Sequence, residues 1–182
     1  MREKKTHLHF FLHDIISGSK PSAVTVAHAN LTETDHNHPT GPTPFGTTIV
    51  IDDPLTVGPE PKSKVIGNAR GLYVSSSQDK DLMIVMYVDF GFTAGRFNGS
   101  SISVLSRNPV MEPRREVAVV GGRGKFRMAR GFAKLKTSYF NSINGDAVIE
   151  YKDGYGLNIE VMDLPMGWVS SSDQDSWIVR WF

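Results

Sequence analysis

Short runs in which every second residue is apolar recur along this chain, with turn formers between them. In THLHFFLHD (6–14), Leu8, Phe10 and Leu12 fall on one face and His7, His9, Phe11 and His13 on the other, the pattern of a half-buried strand. AVTVA (23–27), TTIVIDDP (47–54), VIGNARGLYVS (65–75), DLMIVMYVDF (81–90), GSSISVLS (99–106), EVAVV (116–120) and DAVIEY (146–151) continue the series. Pro54 is expected to end its strand. KFRMARGFAKLKT (125–137) has a helix-compatible composition, but period two places Phe126, Met128, Arg130 and Phe132 on one face and predicts a strand. Polar, turn-rich stretches at 32–46 and 57–64 read as loops. About eight short strands without a convincing helix predict an antiparallel all-β domain, either a sandwich or a closed barrel. DLMIVMYVDF is apolar on both faces. A strand needs that only when both sides are covered, for instance by a barrel interior and a neighbouring subunit.

Several function classes drop out. VAVVGGRGKFRMARG (117–131) is not a P-loop, because Val119 stands where the first glycine should be and Phe126 follows Gly124-Lys125. Arg127 takes the third glycine position of a dinucleotide turn. The stretch therefore reads as a glycine-rich turn between strands. Lys plus Arg number 20 against 19 Asp plus Glu, and a net charge of +1 argues against a nucleic-acid partner. Cysteine is absent, which excludes disulfides and Cys-based nucleophiles or zinc sites. No apolar run is long enough to span a membrane as a helix, and the N-terminus does not read as a signal peptide. Asn30 and Asn98 head glycosylation sequons.

The chemistry-bearing residues are few. If the first strand runs on, Asp14 shares the face of Phe10 and Leu12, and a carboxylate ending an apolar row is costly unless it is paired or useful. His7 and His9 share a face, as a metal pair would, but no Cys or carboxylate partner converges in sequence. They are expected to face solvent, and no metal or cofactor is expected. Asp52-Asp53-Pro54 reads first as a turn, with Asp53 at a pocket rim as the sharper alternative. Tyr73 and Tyr87 suit core aromatics with partnered hydroxyls. Arg107, Arg115 and Arg130 flank or sit within apolar strands, where a guanidinium pairs with a carboxylate or lines a cavity. One of them could meet Asp14 across a barrel interior.

HLHFFLHDIISG (7–18), FGTTIVIDDPLT (45–56), GNARGLYVSSS (67–77), FTAGRFNGSSISVLSRNPV (92–110), REVAVVGGRGKFRMARGFAKLKT (115–137) and NGDAVIEY (144–151) resemble, in the same order, the plant dirigent family. SRNPV and FRMARGFA look more like its broad dirigent-like subgroup than like the pinoresinol-forming members. The resemblance covers about residues 6–152, which implies a barrel domain over 1–152 and a divergent C-terminal tail over 153–182. It implies an eight-stranded antiparallel β-barrel, usually a homotrimer, with a pocket inside each barrel. It also implies secretion to the cell wall or apoplast, with glycosylation at Asn30 and Asn98. The aspartate of the family's HD motif falls on Asp14, and the arginine after its EP motif falls on Arg115. These two are the expected catalytic pair. Phe10, Asp53, Tyr73, Tyr87, Asn108 and Arg130 are the expected substrate-binding residues. Asn108 stands where pinoresinol-forming members carry a second pocket aspartate. Residues 153–182 match nothing in the family, so barrel closure is expected to need a substitute strand near Leu157–Val161.

Two functions follow from the resemblance. In the first, the protein is a non-oxidising scaffold for a small phenolic partner. It holds phenoxy radicals or quinone methides so that coupling gives one stereoisomer, and an external laccase or peroxidase makes the radical. In the alternative it is a pterocarpan-synthase-like dehydratase. Asp14, its pKa raised by burial, assists loss of a benzylic hydroxyl, and Arg115 or Tyr87 stabilises the quinone-methide oxygen. An Arg115–Asp14 pair would lower that pKa and oppose the scheme.

Overall fold

A computed structural model describes residues 2–28, 43–78, 81–151 and 158–163. Its strands are β1 (Arg2–Thr6), β2 (Phe10–Asp14), β3 (Ala23–Ala27), β4 (Thr48–Thr56), β5 (Val65–Ser75), β6 (Met83–Phe92), β7 (Ser101–Pro109), β8 (Arg115–Arg123), β9 (Arg130–Phe140), β10 (Ala147–Tyr151) and β11 (Asn158–Asp163). From β4 to β10 every strand pairs antiparallel with the next in sequence. β2 then pairs with both β10 and β4, which closes an eight-stranded up-and-down barrel. Closure leaves no open edge around this ring.

Alternation sorts the side chains. Ile49, Ile51, Asp53 and Leu55 of β4 point inward, as do Ile84, Met86, Val88, Phe90 and Phe92 of β6 and Arg115, Val117 and Val119 of β8. Glycine lets the backbones of β5 and β6 approach closely. A Cβ on Gly71 would lie 2.0 Å from the Tyr87 carbonyl oxygen, and one on Gly67 would lie 2.0 Å from that of Gly91. Gly71→Ala is therefore expected to destabilise the barrel by about 3 kcal/mol, because rigid backbone must move to admit the methyl. Thermal denaturation measures this, and an unchanged melting temperature would contradict the close approach.

Two long strands are each built from two pieces. β3 and β2 lie one after the other along β4, while β10 and β11 do the same along β9. β11 pairs Asn158, Ile159 and Glu160 with Phe132, Gly131 and Arg130, and β1 pairs with the other side of β11. A strand close to the expected 157–161 thus continues the wall beyond β10. Trp168, Trp177 and Trp181 of the tail lie outside the described residues.

Several expectations change. β4 does not stop at Pro54 but runs to Thr56. The Asp52 N–H points toward Ser22, so position 54 faces the same side, where the chain between β2 and β3 loops away and no ladder bond is lost. β2 is not half-wet: Phe11 and His13 are buried, and His13 Nε2 lies 2.8 Å from Thr56 Oγ1. Burial lowers the His13 pKa. His7 and His9 are exposed, and His9 Nε2 contacts Glu150 Oε1 at 3.1 Å. Glu150 also takes Lys136 Nζ at 2.9 Å. The segment 125–137 is not one strand. Gly124–Phe126 forms a 3₁₀ turn, Met128 adopts φ 61°, and β9 starts only at Arg130. The turn shifts the phase, so Ala133 and Leu135 face inward rather than Arg130 and Phe132.

Candidate functional site

The barrel interior has two unlike ends. Toward one end, rings touch in series: Phe97 on Phe126, Phe126 on Phe92, Phe92 on Phe10, and Phe10 on both Phe90 and Tyr151. Centroids of stacked Phe10 and Tyr151 are 5.0 Å apart with planes at 15°. Toward the other end, inward positions of the wall are polar: Asp14 of β2, Asp53 of β4, Tyr73 of β5, Asn108 of β7, Arg115 of β8 and Thr137 of β9. Asp14 is half-buried and Thr137 exposed, so this end meets solvent.

Two carboxyls dominate it. Asp14 sits opposite Ala147, and Asp53 opposite Ala69, so small cross-strand neighbours flank both. The Tyr73 hydroxyl donates to Asp14 Oδ2 at 2.9 Å. The Ser22 hydroxyl lies 2.6 Å from Asp53 Oδ1, and Ser22 Oγ accepts the Ile15 N–H at 3.2 Å. Asp14 Oδ1 and Asp53 Oδ2 are buried without a protein partner. Burial pushes Asp14 up to about 6; the Tyr73 hydrogen bond opposes this, and the charge of Asp146 adds to it. Burial pushes Asp53, wholly enclosed, up to about 9, with the charge of Asp14 as the second cause. The two upward shifts let this pair keep a proton into the neutral range. Burial, then the charge of Asp14, raises the Tyr73 phenol far above its usual value, so it stays a donor.

Asp146 clamps the chain just after Asp14. It accepts the N–H groups of Ile16 and Ser17, the Ser17 hydroxyl and the Asn144 amide. Its own burial would raise its pKa, but these bonds outweigh that and hold it below the usual carboxylate value.

Arg115 does not meet Asp14. Its Nη1 donates to Asn108 Oδ1 at 3.5 Å and to the Val110 carbonyl at 3.3 Å, and its Nη2 donates to Thr137 Oγ1 at 2.8 Å. The opposing pair foreseen from sequence is thus replaced by a carboxyl beside tyrosine and a guanidinium beside neutral oxygens. Of the expected site residues, Asp14, Asp53, Tyr73, Asn108 and Arg115 share the polar end, and Phe10 lies in the aromatic series. Asp53 is an interior residue of β4, not a turn, whereas Asp52 is exposed against Arg70. Tyr87 and Arg130 are corrected. Tyr87 projects from the outer face of β6, 47 % exposed, and Arg130 is exposed at the start of β9. Arg107 is exposed as well. Ser22, Thr137, Asp146 and Tyr151 were not foreseen. Inward parity would have found Tyr151 and Thr137 once the phase of β9 and β10 was known. Among the described residues no three of His, Asp and Glu converge as a metal site would require.

Comparison with known proteins agrees with this architecture. The family model described as "Dirigent-like protein" matches residues 5–153. Dirigent protein 15 of Arabidopsis thaliana is 58% identical over 82% of this chain and 78% of its own length. Pterocarpan synthase 1 of Glycine max is 49% identical over 82% of this chain and 77% of its own. The solved structure of the pterocarpan synthase dirigent protein GePTS1 superposes with a TM-score of 0.74 at 47% identity, covering 82% of this chain and 83% of that one. A closed barrel with a polar end around Asp14, a family model spanning most of the sequence and relatives this similar establish that the chain belongs to the dirigent family.

Proposed function

We propose that the lumen binds a phenolic substrate and dehydrates it through a quinone methide, as a pterocarpan-synthase-like lyase. The observation that carries this is the pair of inward carboxyls, Asp14 and Asp53, each with one buried oxygen that has no protein partner and each with its pKa raised by burial. Protonated Asp14 donates to a benzylic hydroxyl, the C–O bond breaks, and water leaves. The ring's para phenol releases its proton to solvent and becomes the quinone-methide oxygen. A second hydroxyl of the substrate adds to the methide carbon and gives its proton to the Asp14 carboxylate, while the phenol oxygen takes a proton back from solvent. The aromatic ring and the acid are both restored, and the net change is loss of one water. Holding the attacking oxygen near the methide carbon adds rate by orientation and makes attack one-sided.

The stereodirecting scaffold for radical coupling is the second reading, and the series of aromatic rings from Phe97 to Tyr151 favours it, since such surfaces hold flat phenols. The two separate by assay. Racemic isoflavanol without oxidant should give pterocarpan. Enantiomeric excess only when laccase or peroxidase and coniferyl alcohol are supplied, with no dehydration, would favour the scaffold.

The reading includes self-association as a homotrimer. Val50, Leu72, Tyr87 and Leu105 are direct cross-strand neighbours on four adjacent strands, and they form an exposed apolar row on the outer wall. A contiguous patch of this kind supports a subunit contact. Leu105→Glu is expected to convert the assembly to monomer in analytical ultracentrifugation; an unchanged sedimentation coefficient would exclude this face. The reading also includes secretion to the cell wall, supported by the exposed Asn98 sequon after the 3₁₀ turn Gly95–Phe97. Asn30 lies outside the described residues.

A further inference from the structure

We infer that Arg115 is the seat of a carboxylate on an aromatic ligand of the lumen, and that Asn108 keeps this seat selective for anions. The inference rests on the lumen being the substrate site, as proposed above.

A guanidinium has five N–H groups. Arg115 uses three, on Asn108 Oδ1, the Val110 carbonyl and Thr137 Oγ1. Nε is buried without a partner, and Nη2 makes one hydrogen bond and keeps a second hydrogen. All three acceptors are neutral, yet the side chain is only 4% exposed. Among the described residues no carboxylate forms an ion pair with it. Asp14 is engaged with Tyr73, and Asp53 with Ser22. Tyr151 and, from an exposed loop position, Glu112 favour the charged guanidinium without a hydrogen bond or ion pair to it. A cation enclosed with neutral partners alone is costly, and an anion arriving between its free donors relieves that cost. Two adjacent N–H groups suit the two oxygens of a carboxylate, which take them as a fork. A phenolate offers one oxygen, and an alcohol offers no charge.

Asn108 decides whether the seat stays open. Its Oδ1 faces Arg115, and its Nδ2 points to Met86 Sδ at 3.6 Å. Asp at this position would place a fixed negative charge against the guanidinium and repel an incoming anion. The amide occupies the same volume without that charge.

Calorimetric titration of the folded protein near pH 7.5 tests this with three ring-matched probes: 4-methoxycinnamate, 4-methoxycinnamyl alcohol and 4-nitrophenolate. The carboxylate is expected to bind about tenfold tighter than the alcohol. Asn108→Asp should erase that preference. Arg115→Lys, which keeps charge but loses the fork, should cut the preference severalfold, and it provides a second reading if Asn108→Asp fails to fold. Equal binding of carboxylate and alcohol by the wild type overturns the inference, as does a preference that survives Asn108→Asp. Phenolate binding tighter than carboxylate overturns it too, by pointing to a single-oxygen seat. Binding of none of the three brings down the lumen reading beneath it, and the seat with it.

Discussion

Asp14→Asn is expected to lower isoflavanol dehydration about a thousandfold, within the range that a positioned general acid contributes. The substitution keeps an oxygen to accept the Tyr73 hydroxyl, so the barrel should fold as before. What it removes is the proton donor of the proposed step. The pH profile identifies the cause. Because burial raises Asp14 to about 6, its acid form prevails below that value. Wild-type turnover should fall as pH rises through about 6, since only protonated Asp14 donates, and the variant's residual rate should lack that descent. Near-normal turnover in Asp14→Asn, or a wild-type rate flat from pH 5 to 8, would remove Asp14 from the chemistry.

Asp53→Asn is expected to stabilise the protein by about 3 kcal/mol at pH 7, a rise in melting temperature of about 8 °C for a chain of this size. In the folded barrel Asp53 holds its proton up to about pH 9, whereas the unfolded chain releases it near 3.8. Folding above that lower value must therefore take up a proton. The contribution of Asp53 to stability is whole below about pH 4 and is lost progressively as pH rises toward 9. Asparagine has no proton to recover, and its amide can accept from Ser22 while offering donors on the side where Oδ2 has no partner. Melting curves at pH 5, 7 and 9 should show a wild type that weakens with pH and a variant that weakens much less. Parallel curves would mean that Asp53 is not a buried acid. That a substitution here should stabilise suggests the carboxyl is kept for its chemistry, at a cost in stability.

Much of the wall was legible from period two. The inward faces of β4 and β8 and the placement of Asp14 beside Phe10 and Leu12 follow from alternation alone. β6 was different, because it is apolar on both faces. Parity could say that Tyr87 opposes Met86 but not which of them looks inward. Arg130 was misplaced for a local reason. The 3₁₀ turn and the left-handed Met128 reset the phase of β9, and no hydrophobic period crosses such a turn. Asp53 hid behind its neighbours, since Asp-Asp-Pro is also turn chemistry, and only the gap between β2 and β3 explains why proline is tolerated there. Tyr151 and Thr137 gain their meaning from residues far along the chain, beside Phe10 and Arg115. The clamp at Asp146 joins residues about 130 positions apart and leaves no trace in local sequence.

The seam between β2 and β10 sets an order of events during synthesis. Residues 10–14 emerge early from the ribosome, but their partners at 147–151 emerge near the end of the chain. The sheet can grow hairpin by hairpin from β4 onward, yet the ring cannot join until β10 is free. Until then the hydrogen-bonding rims of β2 and β10 stand open, in a topology whose final contacts are among its longest in sequence. A nascent chain paused before residue 147 should therefore be a strong client for chaperones.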